Sequence, residues 1–117
     1  MSNSIELLLD VASNALNNEN YDVAIYNYQL ASEKGSIYAR ISLAMMHNLG
    51  LGFPADAAVS EQILLEILEN KNFEKKALAL AAHNLSTLYY TGGDNLAPNS
   101  SNGFKFQNLA IQLGFPK

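Results

Sequence analysis

The stretch from Ala39 to Leu68 decides the fold of this chain. It reads ARISLAMMHNLGLGFPAD over residues 39–56 and continues as AAVSEQILLEIL to Leu68. Apolar residues in its first part recur at the helical spacing, and the Gly50-Leu51-Gly52 turn ends that helix. Asp56 is a good N-cap for a second helix, because its carboxylate can accept hydrogen bonds from the free N–H groups of the first turn. The stretch therefore predicts a helical hairpin.

Weaker copies of this hairpin lie on both sides of it. The six predicted helices span about residues 5–17, 21–34, 36–48, 56–70, 74–91 and 100–113. Asn20 and Asn99 are placed to cap the second and the sixth helix. The longest loop, residues 94–101, contains Asn, Pro and Ser, which predicts a surface excursion. We therefore predict an all-α domain of three helix-turn-helix hairpins, at about residues 4–35, 36–70 and 74–114.

The composition bounds the class of protein. A chain of 117 residues is expected to form one domain, and its apolar content of 49% is that of a globular protein. The chain contains no Cys, which excludes disulfides and thiolate chemistry. Residues 1–4 lack the basic residues of a signal peptide, and no apolar run reaches the roughly 18 residues of a membrane span. We therefore expect a cytoplasmic protein that does not enter a membrane.

Charge is distributed unevenly along the chain. The net charge is −4, and five carboxylates precede the first cation, Lys34. These carboxylates are Glu6, Asp10, Glu19, Asp22 and Glu33. An acidic surface repels nucleic acid and favours basic partners. The alternative is that these side chains only keep the protein soluble.

The hairpins also match one another, which indicates an internal repeat. The first helices of the second and third hairpins match 42 positions apart, at Ala39, Leu43, His47 and Gly50 and at Ala81, Leu85, Tyr89 and Gly92. The second helices of the first and third hairpins match 79 positions apart, at Ala24, Tyr28, Ala31 and Gly35 and at Gly103, Gln107, Ala110 and Gly114. Small residues at these positions let helices approach closely, and larger ones fill the groove between hairpins.

These motifs carry a resemblance to a known family. The pattern Ala-x3-Leu-Ala-x2-His-x2-Gly-Leu-Gly-Phe-x2-Asp at residues 39–56 resembles the Sel-one-like repeat, with His47 in place of the usual Tyr. Residues 24–35 resemble the second helix of that repeat, and the first hairpin also resembles a tetratricopeptide repeat. The resemblance implies a short right-handed α-solenoid that binds proteins on a concave face and is not itself catalytic.

The resemblance also implies that the first helix of each hairpin lines the concave face. Placed on this sequence, it puts there Leu9, Ser13 and Asn17, then Tyr38, Ile41, Met45 and Asn48, then His83, Thr87 and Tyr90. Glu6 and Asp10 join the predicted protein-binding residues because of the acidic N-terminal third. Tyr and Met side chains suit an adaptable contact surface. The alternative for Ile41 and Met45, and also for Tyr38, His83 and Tyr90, is a place in the core.

The residues that catalysis or metal binding would need are missing from the pattern. His47 and His83 are 36 positions apart and have no His or Cys partner at a ligand spacing. We expect His47 to pack as an aromatic residue and His83 to lie at the surface. Ser86 and Thr87 follow His83, but Asp94 lies beyond the turn, so no triad is formed. The sequence therefore predicts no catalytic, cofactor or metal site.

Two forms of a protein-binding function follow. In the first, the chain is a small immunity or inhibitor protein that blocks a basic toxin such as a nuclease. In the second, it is a general adaptor or scaffold that binds peptides or a larger assembly through its concave face. Both forms imply a protein partner and no nucleic acid or membrane, with the chain itself a monomer or a weak homodimer. An enzyme is a distant third class.

Overall fold

The computed structural model describes residues 4–116. Over this range the chain is all-helical, with an isolated bridge between Gly93 and Leu96 and no named strand. The helices are α1 (Ser4–Asn17), α2 (Tyr21–Glu33), α3 (Ile37–Leu49), α4 (Ala57–Glu69), α5 (Lys75–Thr91) and α6 (Ser100–Gln112). The prediction of an all-α chain with six helices is confirmed, and each boundary lies within one residue of the predicted one.

Polar side chains cap the start of three helices, and the first of them is Ser36, whose hydroxyl accepts from the backbone N–H of Ala39 at 3.1 Å. The Asp56 carboxylate accepts from the backbone N–H groups of Ala58 at 3.1 Å and Val59 at 3.3 Å, and Asn99 accepts from Asn102 at 3.0 Å. These two predicted caps are confirmed. The predicted cap at Asn20 is wrong, since its side chain makes no capping hydrogen bond. Its backbone has a ψ of 77°, short of the extended conformation that Asp56 and Asn99 adopt.

The first helix of each hairpin ends at a residue with a positive φ. This residue is Gly50 in the second hairpin, with φ 71°, and Gly92 in the third, with φ 65°. In the first hairpin it is Glu19, with φ 60°. The backbone N–H after each of Glu19 and Gly50 closes the same turn, onto the carbonyls of Ala15 and Met46. The first hairpin therefore makes with a Glu the turn that the second makes with a Gly, whereas Gly92 has a ψ of −167° and the N–H after it donates to the carbonyl of Leu96.

We predict that Glu19→Gly raises the free energy of unfolding by about 1 kcal/mol, because a side chain with a Cβ is strained in the left-handed region. Urea unfolding followed by circular dichroism measures the change. Glu19→Ala is the matched control: it removes the same charge and keeps the Cβ, so no comparable gain is expected. An equal gain in both variants would assign the effect to charge repulsion instead.

Each helix packs mainly against its neighbours in the sequence, from α1 through α6. The described chain measures 40 × 30 × 22 Å along its principal axes. Its core falls into two clusters, one among α1, α2 and α3 and the other among α3, α4, α5 and α6. Helix α3 belongs to both clusters, because Met46 packs in the first and Ile41 in the second. This helix therefore joins the two halves of the fold.

The loop between α5 and α6 is tied to the helices around it. The backbone N–H of Ala57 donates to the carbonyl of Asp94 at 2.8 Å, and the N–H of Asn99 donates to the carbonyl of Tyr89 at 2.6 Å. Leu96 packs against the second core cluster. The predicted surface excursion is thus exposed along most of its length and held at both ends.

None of the helices in residues 4–116 has the length and apolar content needed to cross a membrane. The expectation that the chain has no signal peptide rests on residues 1–4. Residues 1–3 lie outside the described part of the chain, so that expectation stays a prediction.

Candidate protein-binding surface

The second and third hairpins enclose a narrow cleft between α3 and α5. It has a volume of about 80 Å³ and is floored by Ser60 and Leu64 of α4. Met45, Asn48 and Thr87, three of the predicted binding residues, meet here. The full lining adds Ile41, Ala44, Asn84, Leu88 and Thr91. Amide and hydroxyl groups surround the Leu64 side chain, and the cleft has room for one side chain of a partner, since ligand pockets usually have about 300–1,000 Å³.

Ile41 and Met45 differ in burial. Ile41 is 6% exposed and belongs to the second core cluster, so the alternative of a core residue is the correct one for it. Met45 is half-buried and reaches the cleft while also packing against the first cluster. Met45 therefore stays available to a partner and Ile41 does not.

A second groove of about 450 Å³ lies between α1 and the start of α5. Leu9 of α1 faces it together with Tyr38 and Phe73. The Tyr38 hydroxyl donates to a carboxylate oxygen of Glu74 at 3.0 Å, which fixes the ring at the groove. Partial burial, followed by this hydrogen bond and the charge of Glu74, raises the pKa of the Tyr38 phenol. Tyr38 is therefore a neutral, positioned aromatic side chain, 38% exposed.

The polar residues predicted on α1 are all at the surface. Glu6, Asp10, Ser13 and Asn17 are exposed along this helix. Among the described residues, the ion pair within 4 Å is that of Arg40 with Glu66, at 3.9 Å. The carboxylates of the first hairpin are thus solvated and not neutralised by a neighbouring cation.

His83 and Tyr90 lie outside the cleft, on the side of α5 that meets α6. The His83 ring stacks on Phe115, with centroids 4.1 Å apart. The Tyr90 ring covers Gly103, and its hydroxyl donates to the side-chain oxygen of Gln107 at 2.9 Å. The residues predicted on the concave face are therefore divided into separate areas, because α6 and the residues after it pack against this side of α5.

Gly103 lets α6 approach Tyr90 closely. A Cβ at this position would lie 2.9 Å from three atoms of the Tyr90 ring. Helix propensity alone favours Ala over Gly by about 0.8–1 kcal/mol, whereas overpacking costs about 1–3 kcal/mol. The repeat pattern indicated a small residue at position 103, and the structure shows that the Tyr90 ring leaves no room for a larger one.

We predict that Gly103→Ala lowers the free energy of unfolding by about 1 kcal/mol in the wild-type chain. In a Tyr90→Ala background the same substitution should raise it by about 0.8 kcal/mol, because only the propensity remains. A double-mutant cycle in urea measures both effects. If the substitution has the same sign in the two backgrounds, the Tyr90 ring does not restrict this position.

His47 packs as an aromatic side chain, as predicted. Its ring stacks on Phe53 with the centroids 3.7 Å apart and the planes within 11°. Burial lowers the pKa of the imidazole, and the nearby Asp56 carboxylate opposes this shift. His47 is therefore mostly neutral near pH 7 and packs as an uncharged aromatic ring.

Tyr89 and Glu61 form a contact that the sequence pattern did not indicate. The Tyr89 hydroxyl donates to a carboxylate oxygen of Glu61 from the side of α5 that faces α4. Burial, and then Glu61, raise the pKa of this phenol, so it stays protonated and donates at any physiological pH. The hydrogen bond links the second hairpin to the third.

Within residues 4–116, no group of three or more His, Asp or Glu side chains lies close enough together to hold a metal ion. Comparison of the sequence with models of known protein families finds no match, and a search of curated proteins likewise finds none. The grooves and the charge pattern are then the features of this chain that bear on its function.

Proposed function

We propose that the chain is a non-enzymatic protein-binding module, built as a short right-handed α-solenoid of three hairpins. The resemblance of residues 39–56 to the Sel-one-like repeat supports this arrangement. So does the order of helix packing, in which each hairpin contacts the next along the chain. Residues with a positive φ recur at Glu19, Gly50 and Gly92, as expected of repeated units. Such stacks present extended surfaces on which protein partners bind.

In its most concrete form, the module is a small cytoplasmic immunity or inhibitor protein that binds and blocks a basic toxin such as a nuclease. The observation that carries this proposal is the charge of the first hairpin. Five carboxylates and one lysine give residues 4–35 a net charge of −4, and all five acidic side chains are exposed. A field of one sign accelerates association with a basic partner and weakens with salt.

A charge-neutralised bait tests this form. Wild-type protein is used to capture a partner from native lysate at low and at high salt, and binding kinetics are then measured with the purified partner. Glu6→Gln, Asp10→Asn and Asp22→Asn together should lower the association rate at least tenfold, as steered complexes lose much of their rate without the charge. The control, Glu66→Gln, Glu69→Gln and Asp94→Asn, removes the same charge from the other hairpins and should have little effect.

The result also separates the inhibitor from its alternative. A single basic partner with nanomolar affinity and a salt-dependent association rate supports the inhibitor. Equal rates for the two triple variants would contradict a role for the acidic hairpin.

The alternative is a general adaptor or scaffold that binds peptides or a larger assembly, and the cleft between α3 and α5 supports it with room for one side chain of a bound peptide. Asn48, Thr87 and Thr91 place polar groups around this cleft, and none of the three is charged. An adaptor should bind short segments with micromolar affinity and little dependence on salt. Thr87→Tyr, which fills the cleft from an exposed position, should abolish such binding and leave capture by the acidic hairpin unchanged.

A further inference from the structure

The side of each hairpin that meets the next one can be identified from its contacts. In the first hairpin, Ile25 of α2 approaches Gly52: a Cβ on that glycine would lie 2.6 Å from Cδ1 of Ile25. In the second, Glu61 of α4 accepts the hydrogen bond of Tyr89. Ile25 corresponds to Phe104 of α6 in the third hairpin, because the same 79 positions separate Ala24 from Gly103. Phe104 is 61% exposed.

An open groove lies on the same side of the third hairpin. Ile41 and Asn48 correspond to His83 and Tyr90, 42 positions later. In the second hairpin α5 lies against this groove, and the narrow cleft is the space that remains between α3 and α5. In the third hairpin the groove between α5 and α6 has a volume of about 520 Å³, with His83, Gln107, Ile111 and Phe115 in its walls. Its open side therefore repeats the geometry of an interface that is filled within the chain.

The opposite side of the first hairpin carries exposed apolar residues. Leu7 and Val11 of α1 are 64% and 40% exposed. Glu19 and Gly50 occupy the same place in their turns, so α1 can be aligned with α3 on these two residues. In this alignment Val11 corresponds to Ser42, and Ser42 corresponds to Asn84, 42 positions later. Asn84 lines the cleft from the side of α5 that meets the preceding hairpin. Leu7 and Val11 therefore occupy the face that, in later repeats, packs against the hairpin before.

The first and third hairpins also differ in net charge. The first hairpin carries −4, whereas residues 74–116 hold three lysines and two carboxylates, for a net charge of +1. Contact between a first hairpin and a third hairpin is therefore attractive. Contact between two first hairpins opposes two charges of −4. The net charges therefore favour contact between a first and a third hairpin over contact between two first hairpins.

We infer that the open side of the third hairpin binds the Leu7 and Val11 face of a second copy of this chain, so that copies stack head to tail. The junction between copies continues the interface between hairpins. Contacts of this kind are heterologous, and they extend into open chains unless the rotation closes a ring. The inference rests on the proposed stacking of the hairpins and does not depend on the identity of any toxin.

Sedimentation velocity of the full chain tests the inference. The weight-average mass of the wild type should rise with concentration, pass the value of a dimer, and fall as salt is added. A head variant, Leu7→Gln with Val11→Gln, and a tail variant, Phe104→Gln, change exposed residues and leave the charges unaltered. Each should weaken self-association at least tenfold. Leu49→Gln, at a residue of the second hairpin that is 58% exposed, is the matched control and should have no effect.

Mixing the two variants makes the experiment decisive. The tail variant keeps an intact head and the head variant keeps an intact tail, so an equimolar mixture should form a dimer that grows no further. A wild type that remains monomeric at all concentrations overturns the inference. The inference is also overturned if the head variant alone abolishes the dimer and the mixture does not restore it. That pattern would mean that two like faces pair. Both variants keep the acidic side chains, so capture of a basic partner should survive in either case.

Discussion

Gly52→Ala should lower the free energy of unfolding by about 3 kcal/mol. Gly52 has a φ of 81°, where a residue with a Cβ is strained by about 1–2 kcal/mol. The added Cβ would also lie 2.9 Å from Cβ of Tyr21 and 2.6 Å from Cδ1 of Ile25. Tyr21 Cβ is fixed to the backbone of α2, so relief requires the helix itself to move, and overpacking of this kind costs about 1–3 kcal/mol. Urea unfolding followed by circular dichroism measures the loss.

Gly35→Ala separates strain from contact in this prediction. Gly35 also has a positive φ, 106°, but no atom lies within 4 Å of a Cβ placed on it. Its substitution should therefore cost only the strain, about 1–2 kcal/mol. The difference between the two variants reports the approach of the second hairpin to α2. Equal losses would mean that this approach is looser than the structure shows.

The ends of the helices could be predicted from the sequence because their determinants are local. Asp56 and Asn99 cap the helices that follow them through side chains that reach only two or three residues ahead. Gly50 and Gly92 supply the left-handed residues that end α3 and α5. The positive φ of Glu19 could not be predicted in this way, because Glu is not a residue type that favours this conformation.

The candidate surface was harder to predict, because it depends on how whole helices are placed. His83 and Thr87 are one turn apart on α5, and the helical period assigns them to one face. In the structure His83 stacks on Phe115, whereas Thr87 faces the cleft beside α3. Phe115 lies 32 positions after His83 in the sequence, and the helical period relates only residues of the same helix. The acidic character of the first hairpin, in contrast, could be read directly from the sequence.

The contacts between hairpins could not be predicted from the sequence either. Ile25 meets Gly52, Glu61 meets Tyr89, and the loop carbonyl of Asp94 meets the start of α4. Each contact joins residues that are remote in sequence and ordinary in type. Small residues in the repeat pattern indicated that helices would approach one another. Which side chains would fill the junctions follows only from the packed structure.

Leu85→Ala should lower the free energy of unfolding by about 3–4 kcal/mol. Leu85 is fully buried, at 0% exposure, and packs in the cluster that α5 shares with α3 and α4. Truncation removes its transfer free energy and leaves a cavity, and Leu→Ala changes in cores cost about 2–5 kcal/mol. Leu49→Ala, at a residue that is 58% exposed, is the control and should cost less than about 1 kcal/mol.

The distribution of this loss along the chain tests the proposed stack. In a linear repeat array each unit is stabilised by its own contacts and by those with its nearest neighbours. The third hairpin has one such neighbour within the chain, so a cavity between the second and third hairpins acts mainly on the third. Native-state hydrogen exchange of Leu85→Ala should therefore show protection lost in α5 and α6 first, and largely kept in α1 and α2. A uniform loss across all six helices would mean that the chain unfolds as one cooperative globule. The repeat correspondence would then describe its sequence without governing its stability.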